Sequence, residues 1–251
     1  MSSGAAPLPT PETAPLSQGA RVINTFFAPS KTFTDIRRST SWWVPWLLVA
    51  IATLSFGIAV DKKIGWDQVI HSQISQSSKA TAQFEQMPAA QREKTIAMQV
   101  AAARYMSFAT PITVLIYFVI LAAILLAIFN FGAGAEVKFA NAMSIVAYAS
   151  LPGLVSAALG IVSLVAGVNP EGFNVRNPVA SNPAYFMDPN TGSKFLYGMA
   201  SALDVFTIWT ILLLGIGFSA NSKLKRGTSI GIIVGVYLVY KLIASAAGTL
   251  M

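Results

Sequence analysis

The chain has 251 residues, of which 54% are hydrophobic and only 11% charged. Soluble domains usually carry about 25% charged residues, so water is excluded as the solvent for most of this chain. The mean hydropathy of +0.60 agrees. The net charge of +7 comes from Lys and Arg set mostly between apolar runs, a pattern of headgroup contact and topology rather than of nucleic-acid binding. With no cysteine, disulfides, thiolate metal sites and cysteine nucleophiles are excluded together.

Residues 1–18 are polar and proline-rich with no apolar core, which predicts a disordered tail rather than a secretory signal. Residues 19–40 follow as an amphipathic segment. Val22 and Phe26, and Ile23 and Phe27, are spaced i to i+4, Pro29 interrupts, and Phe33 and Ile36 resume the apolar face. Arg21, Lys31, Arg37 and Arg38 are expected to meet anionic lipid headgroups, with the apolar face turned into the membrane. The other reading is a short helix packed on the end of the bundle.

The rest, 41–251, reads as a membrane domain with five spans at about 42–60, 106–129, 143–168, 197–218 and 228–250. About 20 apolar residues cross the hydrocarbon core. Trp42, Trp43 and Trp46 mark the interface at the first span, Pro45 fits its first turn, and Asp61, Lys62 and Lys63 end it. Residues 61–105 are polar and helix-prone, broken at Met87-Pro88, and predict helices outside the bilayer core. His71 lies there beside Gln and Ser and reads as a solvated side chain, since a metal site needs several converging ligands. Pro152 and Gly153 in the third span predict a kink. Residues 169–196 carry repeated turn signals and predict a polar loop. The fold class expected is therefore an all-α polytopic membrane protein, a five-helix bundle preceded by an N-terminal interfacial amphipathic helix.

Two charges fall inside spans. Asp204 lies roughly 10 Å from the start of the fourth span and Lys241 roughly 13 Å from the end of the fifth. The two spans are antiparallel, so the charges are expected at similar depth as an ion pair, structural or part of a proton or ion relay. Gly227, Gly231 and Gly235 repeat every four residues on one face and are expected to let another helix approach, either in the same chain or in a second copy.

Catalytic material is scarce. No HExxH, CxxC or phosphate loop is present. A serine protease of the intramembrane kind needs a histidine in a span, and an aspartyl one needs two carboxylates there; the sequence offers neither. No cofactor, metal or catalytic residue is therefore expected, and the chain reads as a non-enzyme.

Several pieces resemble bacterial members of the Yip family, the Rab/Ypt-interacting polytopic membrane proteins and their prokaryotic relatives. They are FFAPSKTF with Ile36 and then WWVPWLL, MPAAQRE in the long loop, YASLP in the third span and LDVFTIWTILLLGIGF in the fourth. Together they cover most of the chain after about residue 20. Pro29, Phe33, Pro45, Tyr148, Pro152, Asp204, Phe206 and Trp209 look like family positions. The resemblance implies five spans after a cytoplasmic N-terminus, and no catalytic residue. Eukaryotic members bind Rab-type GTPases, a partner that a bacterial-looking chain with a short tail is not expected to use.

The function expected is a scaffold or membrane-organising factor of a bacterial inner membrane, with the lipid bilayer as partner and a protein partner or homo-oligomer open. The alternative is a small transporter or channel using Asp204 and Lys241. The Lys and Arg between the spans divide evenly across the two sides, so the dense SKLKR turn and the basic N-terminal flank carry the N-inside orientation.

Overall fold

The computed structural model describes residues 14–167, 173–188 and 192–250. The disordered tail expected over 1–18 lies mostly outside them. The described residues form helices and loops, with no strand among them. The chain is a polytopic helical membrane protein.

Helix α1 (Gln18–Phe27) is capped by Ser17, whose hydroxyl accepts from the Ala20 N–H, and α2 (Pro29–Asp35) begins on its proline. Pro29 costs nothing there, because a first-turn N–H has no helical partner. The membrane helix α3 (Trp43–Lys63) follows, and its C-terminus is closed by Gly65 at φ 87°. A side chain would strain that left-handed turn, so glycine suits it.

Outside the spans, α4 (Trp66–Ser75), α5 (Ser78–Glu85) and α6 (Ala89–Phe108) occupy the predicted polar stretch, with Met87-Pro88 at the break. Val69 anchors this layer on Val60, Leu164 and Phe173 in a small second core. Arg104 pairs with Asp61 at 3.0 Å. Then α7 (Thr110–Ala127) crosses back, and a π-helical turn over Ile128–Gly132 extends it. The Asn130 amide closes the next turn by bonding both the carbonyl and the N–H of Val137 at 2.9 and 2.8 Å.

At the centre lies α8 (Phe139–Ala149), in which every residue from Ala142 to Ala149 is buried. The helix is interrupted at Ser150-Leu151 and resumes as α9 (Pro152–Val165), with Pro152 in its first turn. A short α10 (Lys194–Ala200) and a 3-10 turn (Ser201–Leu203) lead into α11 (Val205–Ala220), and α12 (Arg226–Leu250) returns antiparallel to it.

Among the described residues, four helical segments are long and apolar enough to cross a membrane: Trp43–Lys63, Thr110–Gly132, Phe139–Val165 and Arg226–Ala247. The fifth expected span is different. Lys194–Leu203 and Val205–Ala220 meet the requirement only as a pair bent by 57°. The bend occurs where Asp204 leaves helical geometry, at φ −71° and ψ 128°.

Lipid is as apolar as leucine, so these helices are held by close packing rather than by escape from water. Phe129 stacks on Phe218 with ring centroids 4.2 Å apart. Gly215 lets α11 approach α12: a Cβ there would stand 2.8 Å from the Ile230 Cα. The glycine stripe expected on α12 admits no helix of this chain. Gly227, Gly231 and Gly235 have nothing within 4 Å of a built Cβ, so they face away from the rest of the chain. Glycine spacing marks a flat face, and helix rotation decides where that face points.

Candidate functional site

Two polar constructions stand out against this apolar bundle. One is the N-terminal elbow formed by α1 and α2. The other is the bend at Asp204.

In the elbow, Arg21 is 1% exposed and Asp35 8% exposed, and the guanidinium Nε donates to the carboxylate at 2.7 Å. Arg21 Nη1 also donates to the Ser39 carbonyl at 3.0 Å. Thr25 and Thr32 both donate to the Arg21 carbonyl, at 2.8 and 2.9 Å. The Leu16 N–H reaches the other oxygen of Asp35 at 3.3 Å. A buried pair holds only when other donors and acceptors support it, and here Nε and Nη1 of Arg21 and both oxygens of Asp35 have partners.

The elbow lies lengthwise against α8 and α11. Tyr148, in the middle of the α8–α9 span, donates to the Gln18 side chain at 2.7 Å. Phe26 meets Trp209 edge-on with centroids 5.5 Å apart. Phe33 is fully buried against Gly217 and Ile145. Asn221 fixes the near end by donating to the Phe33 carbonyl at 2.9 Å, while accepting from Asn141 at 3.0 Å. Arg37 donates to the Ala220 carbonyl, and Arg226 to Ser30 at 3.1 Å.

The amphipathic segment therefore exists, but it packs on the bundle, as in the second reading, with Val22, Phe26, Phe33 and Ile36 turned to the core rather than into lipid. The polar stripe Arg21, Thr25 and Thr32 points into the protein, while Ile23 and Phe27 point outward, Phe27 at 85% exposure. Arg21 is thereby removed from the headgroup-binding set, because its charge is consumed by Asp35 and shielded by the bundle. Lys31, Arg37 and Arg38 remain exposed. The partner of Arg21 sits 14 residues away across a proline break, a separation that helical periodicity does not register.

At the bend, Asp204 is the N-cap of α11. Its carboxylate accepts from the Thr207 N–H at 2.7 Å and from the Ser181 hydroxyl. The Ser181 carbonyl accepts the Val205 N–H at 3.0 Å. The polar loop thus reaches the bend, and the acid is not alone in hydrocarbon. Carboxylates suit this position because they satisfy the free N–H groups of a helix start and match its dipole.

Lys241 stands close by without touching it. Its ammonium donates to Ser201 at 3.1 Å and lies 6.0 Å from the Tyr237 ring centroid. The expected direct pair of Asp204 and Lys241 is absent from the salt bridges formed among the described residues. Each charge instead bonds a serine of its own, Asp204 with Ser181 and Lys241 with Ser201. Ser181 was not singled out by sequence reading, since loop serines carry no periodic signal.

His71 lies 3.8 Å from Asp67 on the exposed surface of α4. Among the described residues, no group of three or more His, Asp or Glu side chains converges to hold a metal.

No curated protein and no solved structure matches the chain. A family model of the Yip1 domain matches residues 23–247, from within α1 through the bend to near the end of α12, and the chain belongs to that family.

Proposed function

We propose that this protein is a non-enzymatic scaffold that organises the membrane around it, in the inner membrane of a bacterial cell with its N-terminus cytoplasmic. One observation carries the reading: the elbow presents Ile23 and Phe27 outward while its polar stripe is sealed inward. A helix pair of this kind occupies hydrocarbon volume on one side of the membrane only. Added volume in one leaflet favours curvature, as with other amphipathic insertions. Exposed Lys31, Arg37 and Arg38 then face headgroups at the same end.

The bend supports this reading over transport. Asp204 is engaged as a helix cap and Lys241 by a serine hydroxyl, whereas a relay needs a protonatable group on a wet path.

The test is electron microscopy of proteoliposomes. Wild-type protein is expected to reduce vesicle diameter or draw tubules, and Ile23→Ser with Phe27→Ser is expected to lose this while folding. Vesicles that keep their size at every protein density would refute the proposal. Ion or proton flux that disappears in Asp204→Asn would favour a transporter instead.

A further inference from the structure

The inner side of the bend encloses a groove of about 630 Å³. Leu196 and Met199 on α10, Ile208 and Leu212 on α11, and Tyr237 and Leu238 on α12 line it. Its cause is the 57° bend, which swings α10 away from the line of α11. The lining is hydrocarbon except for the Tyr237 hydroxyl, which is already committed to the Ala202 carbonyl at 3.0 Å. Water needs several polar partners and finds none here. Within a bilayer, the molecule available to fill such a groove is an acyl chain.

Lys241 stands beside the groove, its ammonium 6.0 Å from the ring centroid of Tyr237, a lining residue. On α12 the stripe Val234, Tyr237 and Leu238 continues by one turn to Lys241, since residues three and four apart share a helix face. Lys241 and Val234 are seven residues apart, which gives roughly 10 Å of groove below the ammonium. That ammonium has three donors, and its hydrogen bond to Ser201 uses one of them. The neighbouring acid, Asp204, is held by Ser181 and Thr207. An apolar slot headed by a half-buried cation and a hydroxyl complements a molecule with a long apolar tail and an anionic head.

We propose that the groove and Lys241 bind one anionic phospholipid. Its acyl chain lies along Tyr237, Leu238 and Ile208, and its phosphate accepts from the Lys241 ammonium and the Ser201 hydroxyl. The site is independent of the scaffold reading, because it sits at the bend and not at the elbow.

The experiment is native mass spectrometry of full-length protein released from vesicles of equal dioleoylphosphatidylglycerol and dioleoylphosphatidylcholine. Wild type is expected to retain one phosphatidylglycerol per chain, favoured about fivefold, the equivalent of ~1 kcal/mol for one lysine near an anionic lipid. Lys241→Met is expected to lose the preference and Lys241→Arg to keep it. Leu238→Trp, a change at an exposed position, is expected to lower retention of both lipids and tests the groove even where Lys241→Met fails to fold. Equal retention of the two lipids by wild type overturns the proposal. So does a preference that survives in folded Lys241→Met, or retention unchanged in Leu238→Trp. Vesicle deformation by wild type without selective retention would leave the scaffold reading standing and remove this one.

Discussion

Arg21 and Asp35 meet at 2.7 Å in an ion pair that is shut off from solvent and held on both sides by backbone groups. Removing one partner of a buried pair strands a charge and typically costs about 3–5 kcal/mol, whereas replacing both with apolar residues is often neutral. Arg21→Met alone is therefore expected to destabilise the protein severely. Arg21→Met with Asp35→Leu should recover most of the loss. Thermal unfolding in detergent checks both.

Gly215 and Gly231 should respond oppositely to a side chain. Gly215→Val places atoms against the Ile230 backbone, which cannot shift cheaply. Overpacking of that kind costs about 1–3 kcal/mol. Gly231→Ala meets open space and replaces a poor helix former. Its expected effect ranges from neutral to a gain of ~1 kcal/mol. A stability loss at Gly231, or a change in oligomeric state, would show that another molecule covers this face.

Asp204 and Lys241 should behave as near-independent residues. Asp204→Ala removes a helix cap and is expected to cost about 0.5–2 kcal/mol. Lys241→Met should add its own effect with little coupling. Residues that share a direct bond couple by about 0.5–3 kcal/mol, so a double-mutant cycle near the bottom of that range is expected. A large coupling would mean that the carboxylate and ammonium do pair in the membrane.

Asn221 is the latch of the elbow, since its amide bonds the Phe33 and Gly217 carbonyls and accepts from Asn141. Asn221→Ala leaves buried groups without partners, a loss of about 1–3 kcal/mol. Hydrogen exchange is expected to speed up over α1 and α2 while the α8 core stays protected. Uniform loss across the chain would argue against a local latch.

The helix edges were legible because they are written in local chemistry. Tryptophans at 42 and 46, the pair Lys62-Lys63, Met87-Pro88 and Pro152 all sit at or near observed boundaries. The bend was not legible, because residues 194–220 are nearly continuous in hydropathy and its cause is a cap. The polar partner of that cap, Ser181, stands 23 residues upstream. The Arg21 side chain misled for a related reason: a basic residue on an amphipathic helix reads as a headgroup contact until an acid from a second helix is placed against it. Glycine spacing identified flat faces but not their neighbours, so Gly215 rather than Gly231 turned out to hold two helices together.

The sealed polar stripe of the elbow also sets an order of assembly. Its partners on α8 and α11 lie far downstream: Gln18 waits for Tyr148, 130 residues later, and Phe33 for Asn221, 188 residues later. Chains are made from the N-terminus, so Arg21, Asp35 and the two threonines emerge long before the helices that cover them exist. Hydrocarbon would penalise those groups in the interval. The elbow must therefore remain at the aqueous surface through most of synthesis and dock last, closing a bundle whose other helices are already in place.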